Sequence, residues 1–276
     1  MAKITSYTED SAFTDGDVLL KDGDNGTRII DVDNAAIDLA GRISSVNHRN
    51  IYRGASLGTS ISSTQQTAIS SGTFDGIYIG DYWTINSTKY VVADMDYYYK
   101  TGSSSSFTKH HLVMVPASIM YSAQMNSSNT TEGGYIGSEM YTTNLEDART
   151  TISTDFGDLL LTHENYFVNA VTSGYSSAGA WYDSTVDLMN EIMVYGCYIR
   201  ASMGNNGSTV PTSTTVDKMQ LALFRLAPTM VNIRSNYWLR DVVSSTIFAC
   251  VSTGGLAYNN SASASYGVRP AFVIGA

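Results

Sequence analysis

The C-terminal stretch NYWLRDVVSSTIFACVSTGGLAYNNSASASYGVRPAFVIGA (236–276) decides how the rest of the chain is read. Apolar anchors stand at both ends, Trp238-Leu239 and the run from Val268 to Ile274, and between them lies a long segment of Ser, Asn, Gly, Thr and Tyr. A core does not need such filling, and a disordered tail would not be pinned at both ends. The pattern predicts a fixed β frame carrying a turn-rich, exchangeable insert.

Composition narrows the function classes. Of 276 residues, 43% are hydrophobic and only 15% charged, against about 25% charged in an ordinary globular chain. Ser, Thr, Asn, Gly and 19 Tyr take the place of the missing charge, which is also the chemistry of antibody-type binding loops. A net charge of −9 argues against a nucleic-acid groove, which must supply cations to displace phosphate counterions. No apolar run approaches the ~18 residues that cross a bilayer. The start MAKITSYTEDSAFTDG (1–16) lacks a signal peptide's apolar centre. The chain is therefore expected to be made in a cytoplasm, without membrane insertion or export by that route. Cys197 and Cys250 are too few for a disulfide framework and are expected as reduced thiols.

Residues 1–45 read as a small β-β-α module. A strand from Val18 to Leu20 is followed by an Asp/Gly/Asn turn, a strand from Arg28 to Val32, an Asp33 cap and a brief helix ending at Gly41. DGDNG (22–26) resembles the opening of a calcium loop, but Thr27 stands where Gly is needed and Asp33 where a bidentate Glu is expected. A hairpin turn is the better reading. So small a unit buries little alone, so a partner or self-association is expected to complete it. Residues 46–74 read as a linker with a short helix in TSISSTQQTAISSGTF (59–74), stopped by Gly72 at C′. From 75 to 276 short strands surround two main helices, which predicts an α+β domain. The strands are GIYIGDYWTI (76–85), KYVVADMDYYYK (89–100) and FTKHHLVMVPAS (107–118), and later MQLALFRLAP (219–228), YWLRDVV (237–243), IFACVS (247–252) and YGVRPAFVI (266–274). One helix is predicted in 142–160, capped by Thr143 or Asn144, with Leu145, Ala148, Ile152 and Phe156 on one stripe. A second is predicted from Ser184 to Gly196, and residues 200–216 read as a polar loop.

Catalytic chemistry is hard to find. His110 and His111 are adjacent, so on a strand they point to opposite faces and cannot share a metal. THENY (162–166) puts Glu164 beside His163 without a second His four residues on. GGYIGSEM (133–140) lacks a phosphate-loop context and its Lys, and no G-x-S-x-G elbow occurs. Asp94 and Asp96 share a strand face with no third charged group in view. No catalytic residue, metal site or cofactor is assigned.

The series NYWLRDVVSS, FACV and YGVRPAFVI resembles the C-terminal signature of phage and prophage structural proteins. GDYWTINSTKYVVADMDYYY, HHLVMVPAS, NTTEGGYIGSEMYTTNLEDA, LLLTHENYFVNAV and WYDSTVDLMNEIMVYG extend that resemblance over residues 50–276. The Trp-Leu-Arg and Gly-Val-Arg-Pro frame is similar to C-type-lectin-like domains of the formylglycine-generating-enzyme type, which include the variable proteins of diversity-generating retroelements. The N-terminal module resembles anchors of phage fibres and capsid-decoration proteins. The resemblance implies a C-type-lectin-like fold in which Trp238, Arg240, Arg269 and Pro270 form the scaffold.

The display surface is expected at Ser244, Ser245, Thr246, Phe248, Thr253, Leu256, Tyr258, Asn259, Asn260, Ser261, Ser263 and Tyr266. Residues 244–266 contain no Lys, Met, Gln, Glu or Trp, the residues that adenine randomisation of Asn codons cannot produce. Arg234 and Arg240 are candidate ligand contacts, but the favoured reading makes them structural donors to strand carbonyls. The resemblance implies a non-enzymatic head-fibre, tail-fibre or decoration protein on a virion surface, made in a host bacterial cytoplasm. Residues 1–45 would dock to other virion proteins, the display domain would meet a host-surface protein or glycan, and three chains would assemble. A purely structural fibre protein is the alternative. A copper oxidase using a cysteine pair is the remote one, since Cys197 closes a helix while Cys250 alternates with Phe248 on a strand. Calcium-mediated sugar binding is not expected, because Pro211 stands between Val and Thr rather than in a Glu-Pro-Asn loop.

Overall fold

A computed structural model of the chain describes residues 18–21, 28–31, 48–104, 106–201 and 219–276. The chain divides into two compact units, 1–44 and 45–276. In the first, β1 (Val18–Lys21) pairs antiparallel with β2 (Arg28–Asp31), from Val18 opposite Asp31 to Lys21 opposite Arg28. The calcium-loop-like turn with Asp22, Asp24 and Thr27, the Asp33 cap, the helix to Gly41, and most of the polar loop with Pro211 lie outside the described residues.

The second unit is α+β, mostly sheet. Residues 48–74, expected as a linker, belong to it. The strand β3 (Ser56–Gly58) lies parallel to β4 (Tyr82–Ile85), and Tyr52 bridges to Ile79. Two carboxylates fasten the segment. Asp94 takes the Nε and Nη2 of Arg49, and Asp81 takes Nε and Nη2 of Arg53 at 3.0 and 2.6 Å. Helix α1 (Ser63–Ser70) follows with a reciprocal Ser62/Gln65 capping box, and Gly72 lies past its end at φ +70° as expected.

The main sheet has six strands in the order β10-β15-β6-β5-β4-β3, with β5 (Thr88–Met95), β6 (Leu112–Pro116), β10 (Val186–Leu188) and β15 (Pro270–Ile274). Val91 to Ala93, Leu112 to Val115 and Phe272 to Ile274 are buried, so its centre reads as continuous apolar runs. A five-stranded sheet follows the order β13-β12-β11-β14-β7, comprising β7 (Tyr121–Ala123), β11 (Tyr237–Ser244), β12 (Ile247–Val251), β13 (Ala257–Ser261) and β14 (Tyr266–Val268). A long hairpin, β8 (His163–Thr172) and β9 (Tyr175–Ser184), turns at Ser173-Gly174, both at positive φ as a two-residue turn requires.

Three helix readings change. Helix α2 (Glu146–Phe156) buries Ala148, Ile152 and Phe156 as expected, but Thr143 and Asn144 do not cap it. A π-helical turn, Met140–Asn144, leads directly into it, so the chain enters already coiled. The expected helix from Ser184 to Gly196 is strand β10 followed by the five-residue α3 (Glu191–Tyr195). Asp187 draws the first part into the sheet by accepting from Ser184 Oγ and Tyr135 OH, while Asn190 caps α3 on Met193 N–H at 2.7 Å. The expected strand near 219–228 contains helix α4 (Ala222–Leu226), whose Ala222 N–H is taken at 3.0 Å by Asp94. A short apolar run does not distinguish a buried strand from a buried helix, and this distant cap decides it.

One residue links the two sheets where the chain passes from β14 to β15. Arg269 is the link between β14 and β15 and is fully buried. Its Nε donates to Pro116 O (2.9 Å) at the end of β6, and its Nη1 to Tyr237 OH (3.3 Å) on β11 and to Met230 O (3.2 Å). Its guanidinium lies 5.2 Å from the ring centroid of Tyr237 and 5.5 Å from that of Phe224. Gly267 is required two residues earlier, because a Cβ there would stand 2.2 Å from Ile119 Cγ2 and 2.8 Å from Asn236 O. Pro270 needs no N–H as the first residue of β15.

An ammonium cannot reproduce this fork of donors. Arg269→Lys is therefore expected to lower stability by about 3 kcal/mol, two hydrogen bonds to a charged group, in urea unfolding. A change below about 1 kcal/mol would remove Arg269 from this role.

Candidate functional site

The segment expected as turn-rich filling is itself mostly sheet. The β11–β12 turn at Ser245-Thr246 leads into β12, residues 252–256 turn the chain, and β13 returns along β12 with Ile247 opposite Ser261 and Val251 opposite Ala257. In the described structure β13 is the outer strand of its sheet. Polarity concealed it, since AYNNS (257–261) alternates no apolar face.

The residues named for display occupy two ends of this hairpin and the edge between them. Four intervals along β12 separate the ends, about 13 Å of strand. At one end Ser244, Ser245 and Ser263 meet the 126–131 loop, with Thr246 and Ser261 next to them along the chain. Thr131 Oγ1 donates to Ser244 O (2.8 Å), its N–H donates to Ser245 O (3.0 Å), and Ser263 Oγ donates to Asn129 Oδ1 (2.6 Å). The Gly174 turn closes on the same end, where a Cβ would come 3.1 Å from Ser245 N. The backbone carbonyls of Ser244 and Ser245 and the hydroxyl of Ser263 are thus tied to the protein itself.

The other end is freer. Thr253 is exposed, Leu256 is 71% exposed and Tyr258 49% exposed. The turn beneath is fixed by Thr253 N–H on Asn236 Oδ1 (2.8 Å), Gly255 N–H on Ser252 O (2.8 Å) and Tyr195 OH on Gly255 O (3.1 Å). A large apolar side chain beside a Tyr, on a turn held this firmly, is a low-entropy contact surface.

Between the ends the named residues divide. Asn260 Nδ2 donates to Tyr266 OH, and the Tyr266 ring lies 4.9 Å from that of Trp238. Asn260 and Tyr266 thus couple the edge to the scaffold while remaining half-buried, as does Asn259. Phe248 is a correction. It is fully buried, pairs with Val242 and Asn260 across the ladder, and belongs to the frame. Trp238, Arg240, Arg269 and Pro270 are all buried. Trp238 Nε1 donates to Ala123 O and Arg240 Nη1 donates to Leu188 O, both at 2.9 Å. Arg234, read as a structural donor, is instead exposed at φ +58° on the loop that approaches Gly255 through Asn232.

The residues weighed for catalysis are engaged elsewhere. Asp94 and Asp96 do not share a face, because the strand bulges between Val92 and Asp94 and Asp96 adopts φ +53°. Asp94 binds Arg49, while Asp96 accepts from His111 N–H (3.0 Å) and lies 2.8 Å from His110 Nδ1. Glu164 turns away from His163 to bind Ser103 N–H at 2.7 Å. GGYIGSEM supplies Tyr135, whose hydroxyl donates to buried Asp187 at 3.0 Å. Cys197 is exposed, whereas Cys250 is buried and its thiol is pushed up to about 12, first by burial and then by Glu191. Among the described residues no group of three His, Cys, Asp or Glu could hold a metal ion.

Compared with known proteins, the chain matches no family model, no curated protein and no solved structure.

Two buried histidines make stability depend on pH. Burial pushes His111 down to about 4, with the Lys109 carbonyl and Asp96 opposing and His110 and Arg49 adding to it. Burial pushes His163 down to about 3, with His111 and Arg240 adding to it. Both rings stay neutral in the folded chain, while in the unfolded chain they titrate near 6.5. The stability they confer is complete above about pH 6.5 and is lost as pH falls toward 4 and then 3. Near pH 5 each is expected to remove about 2 kcal/mol relative to neutral pH, read by urea unfolding at both values. His163→Gln should reduce the loss by about half, with Asp94 and Asp187 unchanged in both proteins. An identical pH slope in the variant would contradict the assignment.

Proposed function

We propose that this chain is a non-enzymatic phage virion surface protein whose second unit is a C-type-lectin-like display domain. Its ligand would be a host-surface protein or glycan, met by the β12–β13 turn and the adjoining edge strand. The observation that carries this reading is the contrast within one hairpin. Phe248, Cys250 and Val251 are fully buried, while Leu256 and Tyr258 stand out on the same ribbon. Exposed singly, an apolar residue means little. Here Thr253, Leu256 and Tyr258 gather at one end on backbone that is already fixed, and the loop of exposed Arg234 reaches Gly255 through Asn232.

The resemblance of the Trp-Leu-Arg and Gly-Val-Arg-Pro frame adds the fold assignment, and the burial of Trp238, Arg240, Arg269 and Pro270 is in keeping with it. The boundary after Ser44 is in keeping with a separate N-terminal anchor that docks to other virion proteins. A unit of this size buries little by itself, which favours assembly, and a homotrimer is proposed. Light scattering of the full chain should give three times the chain mass, and a monomer would reject that assembly.

The binding surface is tested with Leu256→Ser combined with Tyr258→Ser. Stability should move by no more than about 0.5 kcal/mol, since neither side chain is in the core. Binding on glycan and host-envelope protein arrays should weaken about thirtyfold, as for loss of a central contact. Binding that survives both substitutions would place the ligand elsewhere. A full chain that binds nothing on either array, yet stabilises capsids, would favour the purely structural fibre or decoration protein.

A further inference from the structure

A second site is formed by none of residues 244–266. A cavity of about 490 Å³ opens beside the C-terminal end of β5, within the roughly 300–1,000 Å³ typical of small-molecule sites. Its apolar wall is Phe74 and Met95, both buried, with the half-exposed Met219 at the rim. Two guanidinium groups, Arg49 and Arg225, line the same space in a chain whose net charge is −9.

The arginines are differently prepared. Asp94 fixes the Arg49 guanidinium through Nε and Nη2, so the geometry is set before a ligand arrives and Nη1 is not used by the pair. Arg225 is exposed and spends Nη2 on Asn50 Oδ1 at 3.1 Å, and its other donors have no partner among the described residues. The facing backbone is immobilised: Tyr97 OH donates to Met219 O (2.7 Å), Gln220 Nε2 donates to Val194 O (2.9 Å), and Leu221 N–H donates to Met193 O (2.9 Å). Asp96 also lines the cavity, with both oxygens already engaged by His110 and the His111 N–H.

From this arrangement we infer that the cavity binds a small monocarboxylate with a compact apolar body. The carboxylate meets Nη1 of Arg49 and the donors of Arg225 that Asn50 leaves, as charge-assisted hydrogen bonds. The apolar body rests on Phe74 and Met95. Asp96 sets the charge count, because a second negative group would meet a carboxylate that has no spare cation. This excludes dicarboxylates and phosphates more than neutral analogues of the same shape.

The test titrates the full chain with N-acetyl-phenylalaninate and, separately, with its neutral amide, following backbone amide shifts by NMR. The carboxylate should bind saturably with a Kd of about 1 mM or tighter, moving the resonances of Arg49, Met95 and Gln220. The amide and the Arg225→Ala variant should each bind about tenfold more weakly, one charge-assisted contact having been lost, and Arg225→Lys should recover part of it. Equal affinity for acid and amide, shifts centred on 253–258, or no saturation by about 10 mM would each overturn the inference. The acid–amide comparison uses the unaltered chain, so its outcome does not depend on any variant folding.

Discussion

A single buried guanidinium sets the geometry of the second unit. Arg269 stands where the chain leaves the five-stranded sheet and enters the six-stranded one, and it donates to acceptors on both sides. Its hydrogen bonds go to two carbonyls and a phenol rather than to a carboxylate, and desolvation lowers its pKa. A charge so placed tolerates little movement, because any displacement exposes it to unsolvated neighbours. The two sheets are thereby fixed in register with each other, and Arg240 repeats the device by donating from β11 to Leu188 O on β10. The display hairpin hangs from strands that cannot shift.

The scarcity of charge has a structural use as well. Three of the four buried carboxylates among the described residues serve the backbone of irregular segments, which would otherwise bury orphan N–H groups. Asp81 accepts from the N–H groups of Ala55 and Tyr78, Asp94 from those of Met95 and Ala222, and Glu191 from those of Ile199, Arg200 and Ala201. Each carboxylate thus organises a loop from the core side and leaves the outer side polar and neutral. Ser, Thr, Asn and Tyr can then dominate the surface without weakening the fold. Contact surfaces made from such residues depend on shape and hydrogen bonding more than on long-range steering.

The sequence was legible where the interaction is local. The stop of α1 at Gly72, the stripe of α2 and the buried anchors Trp238-Leu239 and Val268 to Ile274 all follow from spacing or residue type. It was illegible where a distant partner decides. Helix α4 owes its first N–H acceptor to Asp94, and β10 exists because Asp187 is satisfied by Tyr135 and Ser184. Phe248 was misplaced because it lies inside a polar segment whose register depends on the pairing of β13 with β12. Arg234 was misjudged for a related reason, its loop being shaped by a contact with Gly255 far along the chain.

These couplings decide what a replaceable surface can contain. Position 260 is tied to Tyr266 and through it to Trp238, and position 263 is tied to Asn129, so a change at either leaves a partner without its bond. Positions 253, 256 and 258 make their fold-defining bonds through the backbone or make none, so side chains there can change without such a loss. The hairpin therefore separates into a constrained half, where sequence is dictated by the frame, and an open half, where it is dictated only by what the surface meets. A ligand recognised by the open half would be selected by side chains whose exchange leaves the folded state almost unaffected. In physical terms, that is the condition for altering specificity without altering stability.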